Sequence, residues 1–440
     1  MYSRLRNRIH SVYFNRNELS AEQYRSSQRR LILSGASGNV LYALTTGSFL
    51  AGYLSYLGAT NEFCAIVGSI AQFGCILQMF SPYIFEKLQN RKLLICICCF
   101  IFRFSLGTVI FVPFLVHGHD GQLTVVAIIE TIAFLIAGFV TPGWNNWNLS
   151  IAPVKKRGRY LALKDIVSMI SVALVSLGAG KLLDYFSSMN NIFQGFLIIF
   201  IVALFLSVLD FLLASSIMEP KVDFRKQQFT LRQIIMEPLQ NQFFRPLILF
   251  LSIWSFAIQF SASFIPVYMV TDLKLSYSFI TAVTMAGNIL GMAATFFWGN
   301  LADRTTWSFI LKISGSCIAA CYFGWFFVFS GNAAVLVPIL QILLSCCNGA
   351  FSMASLNLQF ALAPNVGRTA YLGVTSAIAS VISFGGALLG SAVSGLLHHV
   401  RISFWGMKIG NIQILFFITS LVLTFSLFVH KKLHIHTETK

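Results

Sequence analysis

The chain has 440 residues, 56% of them hydrophobic and only 10% charged, yet 31 Lys and Arg against 15 Asp and Glu leave a formal charge of +16. A soluble chain of this length would carry roughly 25% charged residues and divide into two or three domains joined by polar linkers. No such linker is present and the mean hydropathy is +0.75, which excludes soluble enzymes and indicates a polytopic, all-α membrane protein.

About 20 apolar residues cross a bilayer as a helix. In chain order the candidate spans are 31–57, 62–85, 93–116, 122–149, 160–186 and 191–217, then 246–271, 276–300, 307–330, 333–361, 369–398 and 409–430. These twelve divide the chain into a basic N-terminal arm (1–30), a six-helix bundle (31–217), an interdomain loop (218–245), a second six-helix bundle (246–430) and a tail (431–440). The arm is too polar for the apolar core of a signal peptide.

The basic excess sorts by side. Twenty-six of the 31 Lys and Arg residues lie on segments of one side, three (Lys274, Arg401 and Lys408) on the other, and Arg103 and Lys181 fall within spans. This positive-inside bias predicts both termini in the cytoplasm, multi-pass in a cell membrane of the bacterial inner or plasma type. The charge thus reports orientation, and nucleic acid is not an expected partner. Eight of the nine cysteines fall inside spans and Cys64 stands alone near an outer end, so neither a disulfide, a metal nor any other cofactor is expected.

Polar residues recur at helical spacing within the spans, where their persistence points to a protein-facing or water-facing surface. Span one carries Asn39, Tyr42 and Thr46, and span two Gln72 and Gln78. Span four carries Glu130, Thr141, Trp144 and Asn148 on one face. Span seven offers Ser252, Ser255, Gln259 and Ser263, and span eight Thr281, Thr284, Asn288 and Thr295. Span ten offers Gln341, Asn348, Ser352, Ser355 and Gln359, and span eleven Ser376, Ser380, Ser383 and Ser394. From these, Asn39, Tyr42, Gln72, Trp144, Asn148, Gln259, Asn288, Asn348, Ser352 and Gln359 are the candidate substrate-binding residues.

Few charges lie inside the bilayer. Two arrangements are open for Glu130: an ion pair with Arg103 on the neighbouring span, or a free carboxyl whose desolvation makes it the candidate proton-coupling residue. Asp210, on span six, reads as structural.

The two halves repeat. After span four comes IAPVKKRGRYLAL and after span ten LAPNVGRTAYLGV. A shift of 211 maps Ala152, Pro153, Arg157, Tyr160 and Leu161 onto Ala363, Pro364, Arg368, Tyr371 and Leu372. The same shift lays the polar stripe of span four on that of span ten. After span two, Glu86 and Lys87 stand where Asp303 and Arg304 follow span eight.

This organisation, with GNLADRTT at Gly299 to Thr306 and the R-G-R-Y run at Arg157 to Tyr160, resembles the major facilitator superfamily. Gly299, Leu301, Asp303 and Arg304 match that family's G-x-L-a-D-R loop, whereas Thr306 and Trp307 replace its later glycine and arginine. The resemblance implies twelve transmembrane helices in two pseudo-symmetric bundles, with spans 1, 2, 4, 5, 7, 8, 10 and 11 lining a central cavity. It implies secondary transport by alternating access, with Asp303 and Arg304, Glu86 and Lys87, and the paired arginines Arg157 and Arg368 as cytoplasmic gating residues. No phosphate-cradling G-x-x-x-x-G-K-[ST] loop occurs, so an ion or solute gradient is the expected energy source. The cavity inventory of amides, hydroxyls and aromatics favours a small neutral or zwitterionic solute, with protons as the coupling ion and the bilayer and solute as the expected partners of a monomer. Multidrug efflux is the first alternative, although span five (SLGAGKLLDYF) lacks the proline of the efflux motif. A non-transporting receptor on the same fold is the second.

Overall fold

The computed structural model describes residues 20–85, 88, 91–153, 157–219, 231–364, 368–397, 402–404 and 407–432. Eleven helical segments among them are long and apolar enough to cross a membrane: Asn61–Met79, Lys92–Leu115, His119–Ile151, Tyr160–Ser188, Ile192–Ser216, Arg245–Thr271, Tyr277–Arg304, Trp307–Phe326, Ala333–Leu362, Tyr371–Leu396 and Asn411–Phe428. These are spans two to twelve.

Span one is present as two helices, Ala21–Thr45 and Gly47–Tyr56. It begins ten residues before the apolar run because Ser20 and Gln23 form a reciprocal capping box, each side chain bonding the other's backbone N–H. It breaks at Thr46, whose backbone is extended and whose hydroxyl donates to the carbonyl of Tyr42 at 2.6 Å. Gly47 follows at φ +59°, a conformation that a side chain would strain. A short antiparallel hairpin, Ile402–Phe404 with Met407–Ile409, joins spans eleven and twelve. All nine cysteines are free thiols.

The chain forms two compact units, Met1–Gly58 with Gly74–Gln227, and Ala59–Phe73 with Gln228–Lys440. In the first unit span one packs on five and six, span two on four, and span three on four and six. In the second, span seven packs on eleven and twelve, span eight on ten, and span nine on ten and twelve. Each of these pairings recurs six spans later. Individual bonds recur as well. Tyr53 donates to the carbonyl of Val109, and Tyr268 to that of Val328, tying the C-terminal end of the first span of each unit to the C-terminal end of the third. Tyr160 donates to the carbonyl of Gln28, while its counterpart Tyr371 accepts from the Asn241 amide.

Span two divides between the units. Its N-terminal part, Ala59–Phe73, is bonded within the second unit: Asn61 donates to Asp272 at 3.2 Å, Ser394 donates to Glu62 at 2.9 Å, and Phe73 meets Phe384 with ring centres 4.9 Å apart. From Gly74 the chain joins the first unit, tightening to a 3₁₀ turn over Cys75–Met79 against span four. Here Gly74 and Gly138 let the two backbones touch, since a Cβ on Gly74 would overlap the carbonyl of Phe134 and one on Gly138 that of Gly74. At the N-terminus of span three, the Glu219 carboxylate accepts the N–H groups of Arg91 and Lys92, both at 3.2 Å, and so caps that helix. Burial pushes the Glu219 carboxyl above its ordinary range, against the lowering effect of those N–H bonds.

Candidate functional site

Two polar centres lie in the first unit. Glu130 is fully buried, and among the described residues neither carboxylate oxygen has a hydrogen-bond partner. The Tyr42 side chain is 42% exposed, and its ring meets Phe134, one turn from Glu130, edge-on at 6.2 Å.

The second centre resolves the arrangement of Arg103. Its guanidinium bonds to Asp210 of span six, not to Glu130. The other Asp210 oxygen accepts from Ser34 of span one at 2.6 Å. Arg103 also lies over the Trp144 ring, 5.8 Å from its centre. Trp144 is fourteen residues beyond Glu130 on one continuous helix, about 21 Å along its axis. Of the two arrangements open from the sequence, the packing of spans three, four and six excludes the Arg103–Glu130 ion pair, since it joins Arg103 to Asp210 instead. Both oxygens of the 1%-exposed Asp210 are engaged, consistent with a structural role.

Asn39 is exposed and donates its amide to Ser168 of span five at 2.6 Å. Asn148 is only 5% exposed, with its carbonyl oxygen unpartnered, so it packs inside the unit and not on an open face. Trp144 meets Trp147 edge-on at 5.7 Å and is half-buried.

In the second unit, Asn288 of span eight is exposed together with Thr284, on roughly the opposite side of the helix from the exposed Leu290 and Phe297. On span ten Asn348 and Ser352 are exposed, opposite Val335, Ile339 and Leu343. Each of these helices therefore carries an exposed polar face as well as an apolar, lipid-compatible one. Gln359 donates to the carbonyl of Ser355 at 3.2 Å, and the buried Gln259 donates to Ser263 at 2.7 Å, so Gln259 is also an internal residue. Gln72 is half-buried and belongs to the part of span two that lies with the second unit.

Of the gating candidates, Asp303 and Arg304 are exposed at the C-terminal end of span eight, and no ion pair joins them among the described residues. Glu86 and Lys87, and the side chains of Arg157 and Arg368, lie outside the described residues.

Among the described residues, the spans fall into two units with matching internal pairings, a pseudo-symmetric helical membrane architecture, and several spans carry exposed polar faces. The Major Facilitator Superfamily profile matches residues 31–391, and the chain belongs to that family. It is thereby placed among multi-pass membrane transporters and not among enzymes. No curated protein matches the chain. Among solved structures, the fold is similar to the nucleoside transporter NupG, at 14% identity and a TM-score of 0.67 over 94% of this chain and 100% of that one. It is similar to a bacterial homologue of the human lysosomal transporter Spinster, at 14% identity and a TM-score of 0.68 over 94% and 98%. It is likewise similar to the xylose transporter XylE from E. coli, at 14% identity and a TM-score of 0.64 over 94% and 99%.

Proposed function

We propose that the protein is a secondary transporter of a small neutral or zwitterionic solute, working by alternating access and coupled to protons through Glu130, with both termini in the cytoplasm of a bacterial cell. Glu130 carries the coupling half of this reading. An ionised carboxylate without a partner is far more costly to bury than the neutral acid, so gain and loss of its proton is tied to the opening and closing of its surroundings. Tyr42, partly exposed and packed on Phe134 one turn from Glu130, supplies a polar group near the carboxyl. The exposed amides and hydroxyls of spans one, eight and ten supply hydrogen bonds for a solute without strong net charge. Asp303 and Arg304 act at the cytoplasmic gate.

The test begins with a thermal-shift screen of purified protein across sugars, nucleosides and amino acids, because a ligand that binds only the folded state raises its melting temperature. Uptake of the solute so found is then measured in proteoliposomes with and without an imposed proton gradient. Wild type accumulates solute against its gradient, whereas Glu130→Gln binds it and only equilibrates it. Undiminished accumulation by Glu130→Gln refutes the proton assignment.

A further inference from the structure

We infer that the exposed polar face shared by spans eight and ten of the second unit, carried by Asn288 and Asn348 with Thr284 and Ser352, binds a neutral polyhydroxylated solute of the sugar or polyol class. The inference rests on the transport reading above and selects the neutral one of its two solute classes.

Spans eight and ten run side by side in the same direction. An added Cβ on Gly287 would meet the Ser345 hydroxyl at 2.8 Å, one on Gly291 the Ser345 carbonyl at 3.1 Å, and one on Gly349 the Thr295 methyl at 3.4 Å. These glycines mark the line along which the two helices touch. At about 100° per residue, Asn288 stands about 80° and Thr284 about 40° to one side of that line on span eight. Asn348 and Ser352 stand at about the same angles, in the opposite sense, on span ten. On parallel helices that face each other, opposite rotations lead to the same side, so the four residues share one face of the pair. All four are exposed, whereas Leu290, Phe297, Ile339 and Leu343 fall on the other face.

Packing does not require these amides. Shifts of 217 and 211 residues, which pair the loop motifs of the two halves, carry Gly74 to Gly291 and Gly138 to Gly349, and spans two and four touch at those glycines as eight and ten do. The same shifts carry Ala71 to Asn288 and Ala137 to Asn348. One helix pair therefore forms with alanine where its repeat carries an amide. Among the described residues the side chains of Asn288, Asn348 and Ser352 make no hydrogen bond, whereas the amides of Asn39, Gln259 and Gln359 are each engaged. The Thr284 hydroxyl donates to the carbonyl of Ile280 at 2.8 Å and keeps its oxygen as an acceptor.

An open amide offers a donor and an acceptor side by side. Neighbouring hydroxyls of a polyol meet both, one donating to Oδ1 and the next accepting from Nδ2. Asn288 lies three residues before Gly291 and Asn348 three after Ser345, which sets the amides about 9 Å apart along the helix axes and suits a solute with hydroxyls around its perimeter. No charged residue occurs from Tyr277 to Ala302 or from Ala333 to Leu362. A zwitterion would lose hydration at this face without gaining a counter-charge.

The experiment measures melting temperatures of the purified full-length protein with D-xylose, D-glucose, maltose and sorbitol, with the zwitterions L-serine and L-leucine, and with uracil, which offers an amide edge without hydroxyls. Asn288→Ala, Asn348→Ala and the double variant introduce the residue that spans two and four already carry, so their melting temperatures without solute should match the wild type. At least one polyol raises the wild-type value, and its apparent affinity falls about threefold to tenfold in each single variant and further in the double. The inference is overturned if no polyol binds, if a zwitterion or uracil outperforms every polyol, or if the double variant binds the polyol as the wild type does. A large fall in the solute-free melting temperature of the variants would assign the amides to packing and overturn it as well. Uptake into proteoliposomes separates the two readings. A polyol that binds through Asn288 and Asn348 but is not carried across refutes transport and leaves the subsite, whereas uptake of an amino acid alone refutes the subsite and leaves transport.

Discussion

The buried pair of Arg103 and Asp210 makes the sharpest stability prediction. Asp210 is 1% exposed, with one oxygen on Arg103 and the other accepting from Ser34, and the Arg103 side chain is 13% exposed. Asp210→Ala removes the only acid facing the guanidinium among the described residues, and the cation–π contact with Trp144, at about 0.5–2 kcal/mol, offsets little of that. Breaking a buried pair from one side costs about 3–5 kcal/mol, because an uncompensated charge stays behind. For a unit of this size that corresponds to a fall of roughly 6–20 °C in melting temperature. Replacing both partners by apolar residues, Arg103→Met with Asp210→Leu, removes the charge as well as the bond and recovers most of the loss. The assay is thermal unfolding of the detergent-solubilised protein for the two single variants and the double. A drop of less than 2 °C in Asp210→Ala, or single-variant losses that simply add in the double, would refute the assignment of this pair as a coupled, stabilising unit.

Gly138→Ala forces a methyl group into the carbonyl of Gly74 and should cost about 1–3 kcal/mol, whereas Gly178→Ala, with open space at its Cβ position, should be neutral or slightly stabilising; melting temperatures of the two variants distinguish close packing from a general intolerance of alanine. Because burial raises the Glu219 carboxyl above its unfolded value, the stability it contributes is fully present below the ordinary carboxyl range and is lost as pH rises through the raised folded value. Glu219→Gln should therefore flatten the dependence of melting temperature on pH above the ordinary carboxyl range, and an unchanged slope would contradict that role.

The span count, the repeat and the transporter class were all legible in the sequence, because bilayer burial demands long apolar runs and gene-scale repetition leaves matching loop motifs. Tyr160 and Tyr371 illustrate this: the 211-residue shift that pairs them also pairs their bonds to the start of spans one and seven. Helical phase also identified the exposed faces bearing Asn39, Asn288, Asn348 and Ser352. It placed Asn148 and Gln259 with them, although both are buried, because periodicity gives a direction on one helix and not the identity of the neighbour in that direction. The division of span two at Phe73 has no strong compositional mark either, beyond a glycine at the junction.

Charge shows the limit most clearly. From sequence alone, the clustering of basic residues on alternate loops followed from the free energy of keeping charge out of hydrocarbon, and that gave an expected orientation. Which acid Arg103 meets could not follow, since axial depth counted along a chain carries an error of a turn or more and says nothing about which spans are adjacent. Only the packing of spans one, three, four and six joined Arg103 to Asp210 and Trp144 and left Glu130 without a counter-charge. Orientation is a property of segments and water, whereas an ion pair is a property of neighbours, and neighbours exist only once the chain has folded.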